Sequence, residues 1–158
     1  MRVLGVDFGV RRIGLAVSDP TASLARPWRT LGAGDSPVAS AAIVADLITS
    51  LGRADDDDVA DLQAVVVGVP RKLGGEPTDQ TAAARLFAQA LGAMTGLAVH
   101  EQDERLSSHE ADALLKVKER DWRRRKDKLD AAAAAVILQD YLDARPRTAS
   151  ADAEPPVA

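Results

Sequence analysis

Arg2-Val3-Leu4-Gly5-Val6-Asp7-Phe8, Gly9-Val10-Arg11 and Arg12-Ile13-Gly14-Leu15-Ala16-Val17-Ser18 open the chain, and their reading decides the fold. The two flanking runs are short, apolar and rich in strand-forming residues, and the segment between them carries the glycine of a tight turn. This is the pattern of a β-hairpin. A third strand is expected within Leu24 to Leu31, ended by the turn residues Gly32 to Gly34. A helix should follow. Asp35 or Ser36 can cap it, Pro37 suits its first turn, and Val38, Ala41, Ala42, Ala45 and Ile48 recur at helical spacing until about Gly52. The run Asp55 to Asp58 reads as a solvated loop, with a cation site as the alternative.

Further along, Gln63-Ala64-Val65-Val66-Val67-Gly68-Val69-Pro70 is a continuous apolar run that suits a strand buried on both faces. After the loop Arg71 to Pro77 come a helix over about Thr78 to Thr95 and a strand at Leu97 to Glu101, an order that implies parallel pairing. Ser107 and Glu110 have capping-box spacing, which predicts another helix there. A last helix carries Ala133, Ala134, Ile137, Leu138 and Tyr141 on one stripe. The expected architecture is α/β: a five-stranded mixed sheet of three antiparallel strands and two parallel βα units, flanked by helices. By analogy of element order this is a ribonuclease H-like sheet. One domain over residues 1–143 and a disordered tail over 144–158, rich in Pro, Ala and acidic residues, are expected.

Composition narrows the chemistry. The chain has 158 residues, 46% hydrophobic but only 3% aromatic, so Ala, Val and Leu must fill the core. It has no cysteine, which removes disulfides, thiol nucleophiles and thiolate metal sites. With His100 and His109 as its two histidines, any metal must sit on oxygens. No apolar run is long enough to span a bilayer, and Asp7 interrupts any secretory signal, so a soluble, cytoplasmic protein is expected. Net charge is -4, yet Lys116 to Lys128 holds eight basic and three acidic residues. That segment is the place for a polyanion.

Four carboxylates at three places stand out. Asp7 lies inside a strand, where a charge needs a partner: Arg11 or Arg12 in the structural reading, a metal in the functional one. Asp103 and Glu104 follow a parallel strand at its carboxyl end, where open α/β sheets place ligands. Alternation lets only one of them share a site with Asp7, and periodicity does not choose. Asp130 sits one turn before the apolar stripe of the last helix, as a cap or facing the sheet. If such acids converge, Mg²⁺ or Mn²⁺ would relieve their repulsion, since both favour oxygen ligands. Two such ions can activate water and stabilise the leaving oxygen of a phosphodiester.

Val6-Asp7-Phe8-Gly9, Arg12 to Asp19, Gly68-Val69-Pro70, Asp103 to Ser108 and Asp130 to Ala134, with Ile137-Leu138-Gln139 and Tyr141-Leu142, closely resemble the YqgF family, also called RuvX. The resemblance implies a ribonuclease H-like fold related to RuvC resolvases and a metal-dependent nuclease site. It carries the catalytic, metal-holding acids onto Asp7, Glu104 and Asp130, choosing Glu104 over Asp103. It also implies either maturation of the 5′ end of pre-16S ribosomal RNA or cleavage of Holliday junctions. The chain departs from the family pattern in the cations of Arg71-Lys72-Leu73-Gly74-Gly75 and in the arginine density of Trp122 to Lys128.

Expected nucleic-acid contacts are Arg71, Lys72, Arg105, Arg123, Arg124, Arg125, Lys126 and Lys128, holding phosphates with marked salt dependence. Trp122 is read as packing, with base stacking as the alternative. The expected partner is RNA, or branched or single-stranded DNA, bound by a monomer or homodimer. Junction resolution would need two active sites. Two rivals remain. Actin-like phosphotransferases close two related domains over a nucleotide, more than this length holds, and a non-catalytic RNA-binding ribosome-assembly factor would not need the three acids.

Overall fold

A computed structural model describes residues 1–72, 74–104 and 122–145. The first hairpin forms as expected: β1 (Arg2–Phe8) pairs antiparallel with β2 (Arg12–Ser18), Asp7 opposite Gly14 and Phe8 opposite Ile13. The Gly9 N–H closes the turn on the Arg12 carbonyl at 3.0 Å. β3 (Ala25–Gly32) pairs antiparallel with β2, with a bulge where Leu15 meets Arg29 and Ala16 meets Pro27. Asp19 organises the intervening loop. Against a desolvation that would raise it, hydrogen bonds from the Leu24 N–H, the Thr21 hydroxyl and the Ser23 N–H bring its carboxyl down to about 2.

α1 (Pro37–Arg53) is capped by Ser36, whose hydroxyl accepts from the Ala39 N–H at 3.0 Å, with Pro37 in its first turn. The aspartate run is not simply solvated. Asp57–Val59 forms a short 3₁₀ turn, and the Asp58 carboxylate pairs with Arg26 and accepts from Trp28 Nε1 at 2.9 Å, pinning the turn to β3. β4 (Leu62–Val69) lies parallel to β1 and to β5 (Ala98–Asp103), joined by α2 (Asp79–Thr95), which Thr78 caps. The sheet order is β3-β2-β1-β4-β5, the ribonuclease H-like mixed sheet expected from the sequence. The helix predicted from Ser107 lies outside the described residues, as does the tail from residue 146 onward.

α3 (Trp122–Ala144) starts earlier than the apolar stripe suggested. Asp130 is therefore two turns inside it and caps nothing. The sheet separates two cores. On one face Leu4, Val6, Ile13, Leu15, Val65 and Val67 meet α1 and α2 through Val44, Phe87 and Leu91. On the other, Val3, Ala16, Ala64 and Val66 meet α3 through Ala134, Ile137, Leu138 and Leu142. α3 is also tied to the start of β3: Gln139 accepts from the Ala25 N–H at 2.9 Å and donates to the Ser23 carbonyl at 3.0 Å.

Candidate active site

The alternation that points Leu4 and Val6 toward α1 and α2 points Val3, Gly5 and Asp7 toward α3. Asp7 is near the carboxyl end of β1, at the end of the sheet where β4 and β5 also finish. Two glycines make the space. A Cβ at Gly14, directly across from Asp7, would stand 2.0 Å from the Asp130 carbonyl oxygen, so only glycine lets α3 rest its backbone on β2 there. A Cβ at Gly68 would meet Ile137 Cδ1 at 2.5 Å and Glu104 Oε2 at 2.9 Å. The Glu104 carboxylate thus lies over bare backbone of β4.

The same alternation separates Asp103 from Glu104, the choice periodicity left open. Val99 packs into the α1–α2 core, and Glu101 pairs with Arg85 of α2 at 3.3 Å. Asp103 shares their side of β5. His100 stacks near Tyr141 of α3, ring centroids 5.3 Å apart, and Glu104 follows on that side.

Asp7 and Glu104 bring their carboxyl groups close enough to interact directly. Burial pushes Asp7 up to about 6, the contact with Glu104 pulls it down, and the negative charge of Asp130 adds to the rise. Asp130 is near enough to repel Asp7 but is engaged elsewhere: Arg12 Nε donates to its Oδ2 at 2.5 Å. Arg12, read from the sequence as a possible partner of Asp7, pairs instead with the third acid. Among the described residues no three His, Cys, Asp or Glu side chains are already grouped closely enough to hold one ion together. The convergence is a touching pair with the third acid held aside. The readable signal for Arg12 was the hairpin itself, since Arg12, Gly14 and Ala16 alternate onto the face that Asp7 occupies.

Of the expected cationic contacts, the side chains of Arg71, Lys72 and Lys128 are among the described residues. Arg71 is partly used by its own loop, donating to the Gly75 carbonyl at 3.4 Å, while Lys72 is exposed. Lys128 is exposed on the second turn of α3 and lines a cleft of about 590 Å³ with Trp28, Arg29 and Thr30 of β3. Thr30 pairs with Gly14 and Gly14 with Asp7, so the cleft lies two strands along the row that holds the acid. Sequence reading missed Trp28 and Arg29, whose guanidinium lies 4.9 Å from the Trp28 ring centre. Arg105 and the side chains of Trp122, Arg123, Arg124, Arg125 and Lys126 lie outside the described residues.

A mixed five-stranded sheet with a pair of carboxyl groups where its parallel strands end defines a class of acidic-site α/β proteins. Within that class the chain belongs to the RuvX family, whose model, described as "RuvX: Holliday junction resolvase", matches residues 1–144. A Chloroflexus aggregans protein named "Putative pre-16S rRNA nuclease" is 39% identical over 90% of this chain and 94% of its own length. A relative of the same name from Nocardioides sp. is 36% identical over 96% of this chain and 93% of that protein. Among solved structures, Thermus thermophilus RuvC in complex with a Holliday junction substrate aligns at 21% identity and a TM-score of 0.49, over 92% of this chain and 96% of that one. No described helix is long and apolar enough to cross a membrane.

Proposed function

We propose that this chain is a divalent-cation-dependent nuclease of the two-metal-ion type, with Asp7, Glu104 and Asp130 as its catalytic acids. The observation that carries the reading is the Asp7–Glu104 pair, two carboxyl groups brought together on one face of the sheet, with Glu104 over the gap left by Gly68. The donors fit hard ions: all are carboxylate oxygens, and Mg²⁺ needs only one or two carboxylates beside water and phosphate. When bound, Mg²⁺ or Mn²⁺ would supply the Lewis acidity that activates water and stabilises a departing oxygen. Asp7 and Glu104 would hold the ions and Asp130 would complete the set. Burial holds the Asp7 proton, which must leave before that carboxylate can serve, so activity should rise with pH through about 6.

The substrate reading follows the relatives: 5′-end processing of pre-16S rRNA in the cytoplasm. Their name is shared over nearly their whole length. Holliday junction cleavage is the second reading, favoured by the family description, and would need two copies of the chain on one junction. Lys72, Lys128, Arg71 and Arg105, with Arg123, Arg124, Arg125 and Lys126 on the first turns of α3, would hold the phosphate backbone near the acids.

The test is cleavage of labelled single-stranded RNA, RNA duplex and a four-way DNA junction, with Mg²⁺ or Mn²⁺ and with chelator. Asp7→Asn, Glu104→Gln and Asp130→Asn should each lower cleavage by at least about 100-fold while circular dichroism stays unchanged. Binding without metal-dependent cutting of any substrate would instead make the chain an RNA-binding assembly factor. Micromolar ATP binding would favour the phosphotransferase reading.

A further inference from the structure

We propose that Arg12 is a positioning residue that keeps Asp130 off the Asp7–Glu104 pair until a substrate phosphodiester takes its guanidinium. The proposal deepens the metal-dependent reading above and rests on it. Three observations carry it. Asp7 and Glu104 are already close together, whereas Asp130, close enough to raise the Asp7 pKa, bonds Arg12 at 2.5 Å, and among the described residues no three acids are grouped for an ion. The backbone of Asp130 is seated on Gly14, directly across from Asp7, so its carboxylate starts beside the pair while bonded to Arg12. The Arg12 guanidinium spends only its Nε on Asp130, and its terminal amino groups have no hydrogen-bonding partner among the described residues.

The pair is part-exposed, at 34% for Arg12 and 23% for Asp130, and such ion pairs exchange partners at little cost. Guanidinium binds phosphate through paired parallel hydrogen bonds, a better match than its single bond to Asp130. A charged backbone phosphate arriving beside the acids would therefore draw Arg12 away. Asp130 would then lose its counter-charge where a cation is its remaining partner. The full carboxylate set would assemble only with substrate present, and in its absence Arg12 offsets one of three clustered negative charges.

Mn²⁺ titration by calorimetry of the full chain tests this without reading activity. Arg12→Gln should tighten Mn²⁺ binding roughly five- to tenfold, because Asp130 is released. In the Asp130→Asn background the same substitution should change affinity by less than about twofold. A gain of equal size in both backgrounds would mean that removing a nearby positive charge explains it, and the holding role would be lost. Unchanged or weakened binding in Arg12→Gln would overturn it too. Arg12→Lys, which keeps the charge on a flexible stem, should give an intermediate affinity and guards against misfolding of the glutamine variant.

A hydrolysis-resistant single-stranded oligonucleotide should tighten Mn²⁺ binding to the wild type several-fold more than it does to Arg12→Gln, where phosphate adds only its own ligation. A methylphosphonate strand, lacking the charge, should have no effect, and equal effects of the two strands would contradict release by phosphate. Failure of the wild type to bind Mn²⁺ at all would defeat the metal-dependent reading itself and this proposal with it. Normal wild-type binding without the double-variant pattern would defeat this proposal alone.

Discussion

On one face of the sheet β1 presents Leu4 and Val6 to α1 and α2; on the other the same strand presents Val3, Gly5 and Asp7 to α3. The first contact is made by large aliphatic side chains interleaved with Phe87 and Leu91. The second is made largely by Gly5, Gly14, Ala16, Ala64 and Gly68 against an alanine-rich helix. Burying large apolar side chains is the stronger source of stability. The small-residue face gives up part of that gain, and in return a helix backbone comes close enough to seat Asp130 on Gly14 of β2, directly across from Asp7. The difference teaches that stability and chemistry are assigned to opposite sides of the same residues, one position apart.

Substitutions on the two faces should therefore separate fold from function. Leu15→Ala, on the face toward α1 and α2, should cost roughly 2–5 kcal/mol of stability through the cavity it leaves. Metal-dependent cleavage per folded molecule should be unchanged, as read by urea unfolding and active-site-normalised rates. A large drop in that normalised rate would break the comparison.

Asp7→Asn should do the reverse. The folded-state value of Asp7, about 6, lies above the ordinary 3.8, so the fold holds this proton more tightly than the unfolded chain does. Below about pH 4 the group is neutral in both states and contributes nothing. As pH rises through about 6 its ionisation destabilises the fold, by up to an amount on the order of 3 kcal/mol. Thermal unfolding should thus show Asp7→Asn more stable than the wild type at pH 8 and similar to it near pH 4, while inactive at both. Equal stability at pH 8 would show that the carboxylate is not held at a cost.

Gly14→Ala should destabilise by roughly 1–3 kcal/mol, because a methyl group there displaces α3 at Asp130. Unlike Leu15→Ala it should also depress cleavage, so this position sharpens the comparison where both demands meet. The smallest effect on stability is expected from changing Arg123, Arg124 and Arg125 together to Ala, a change of within about 0.5 kcal/mol. Substrate binding should weaken and its logarithmic salt dependence flatten by up to about two to three units of slope. A wild-type slope would place the phosphate contacts elsewhere, with Lys128, Arg29 and the cleft beside Thr30 next to examine.

Most of the sheet was legible because its strands are uniform apolar runs broken by turn residues; β1, β2 and the Ser36–Pro37 helix start match the reading closely. The start of α3 was misplaced because Trp122 to Lys128 is too polar to show an apolar stripe, although charged residues form helix readily. Asp58 was read as solvated because its partners, Arg26 and Trp28, are distant in sequence. At the site, strand alternation was enough to find Asp7 but could not decide between Asp103 and Glu104 without the register of β5 on β4, which is a property of the folded sheet. The Arg12–Asp130 bond joins the second strand to the last helix, and no local pattern encodes such a pairing.

α3 carries Lys128 and Asp130 on one continuous rod and is fastened downstream by Gln139 to the start of β3. On the proposed roles of these residues, recognition and chemistry would thereby be geared together by helical phase. One extra residue inserted after Lys128 would turn everything upstream by about 100° and shift it by about 1.5 Å relative to the anchored acid. Substitutions along the basic turns leave that phase intact, whereas a single insertion or deletion would swing the whole charged surface out of alignment at once.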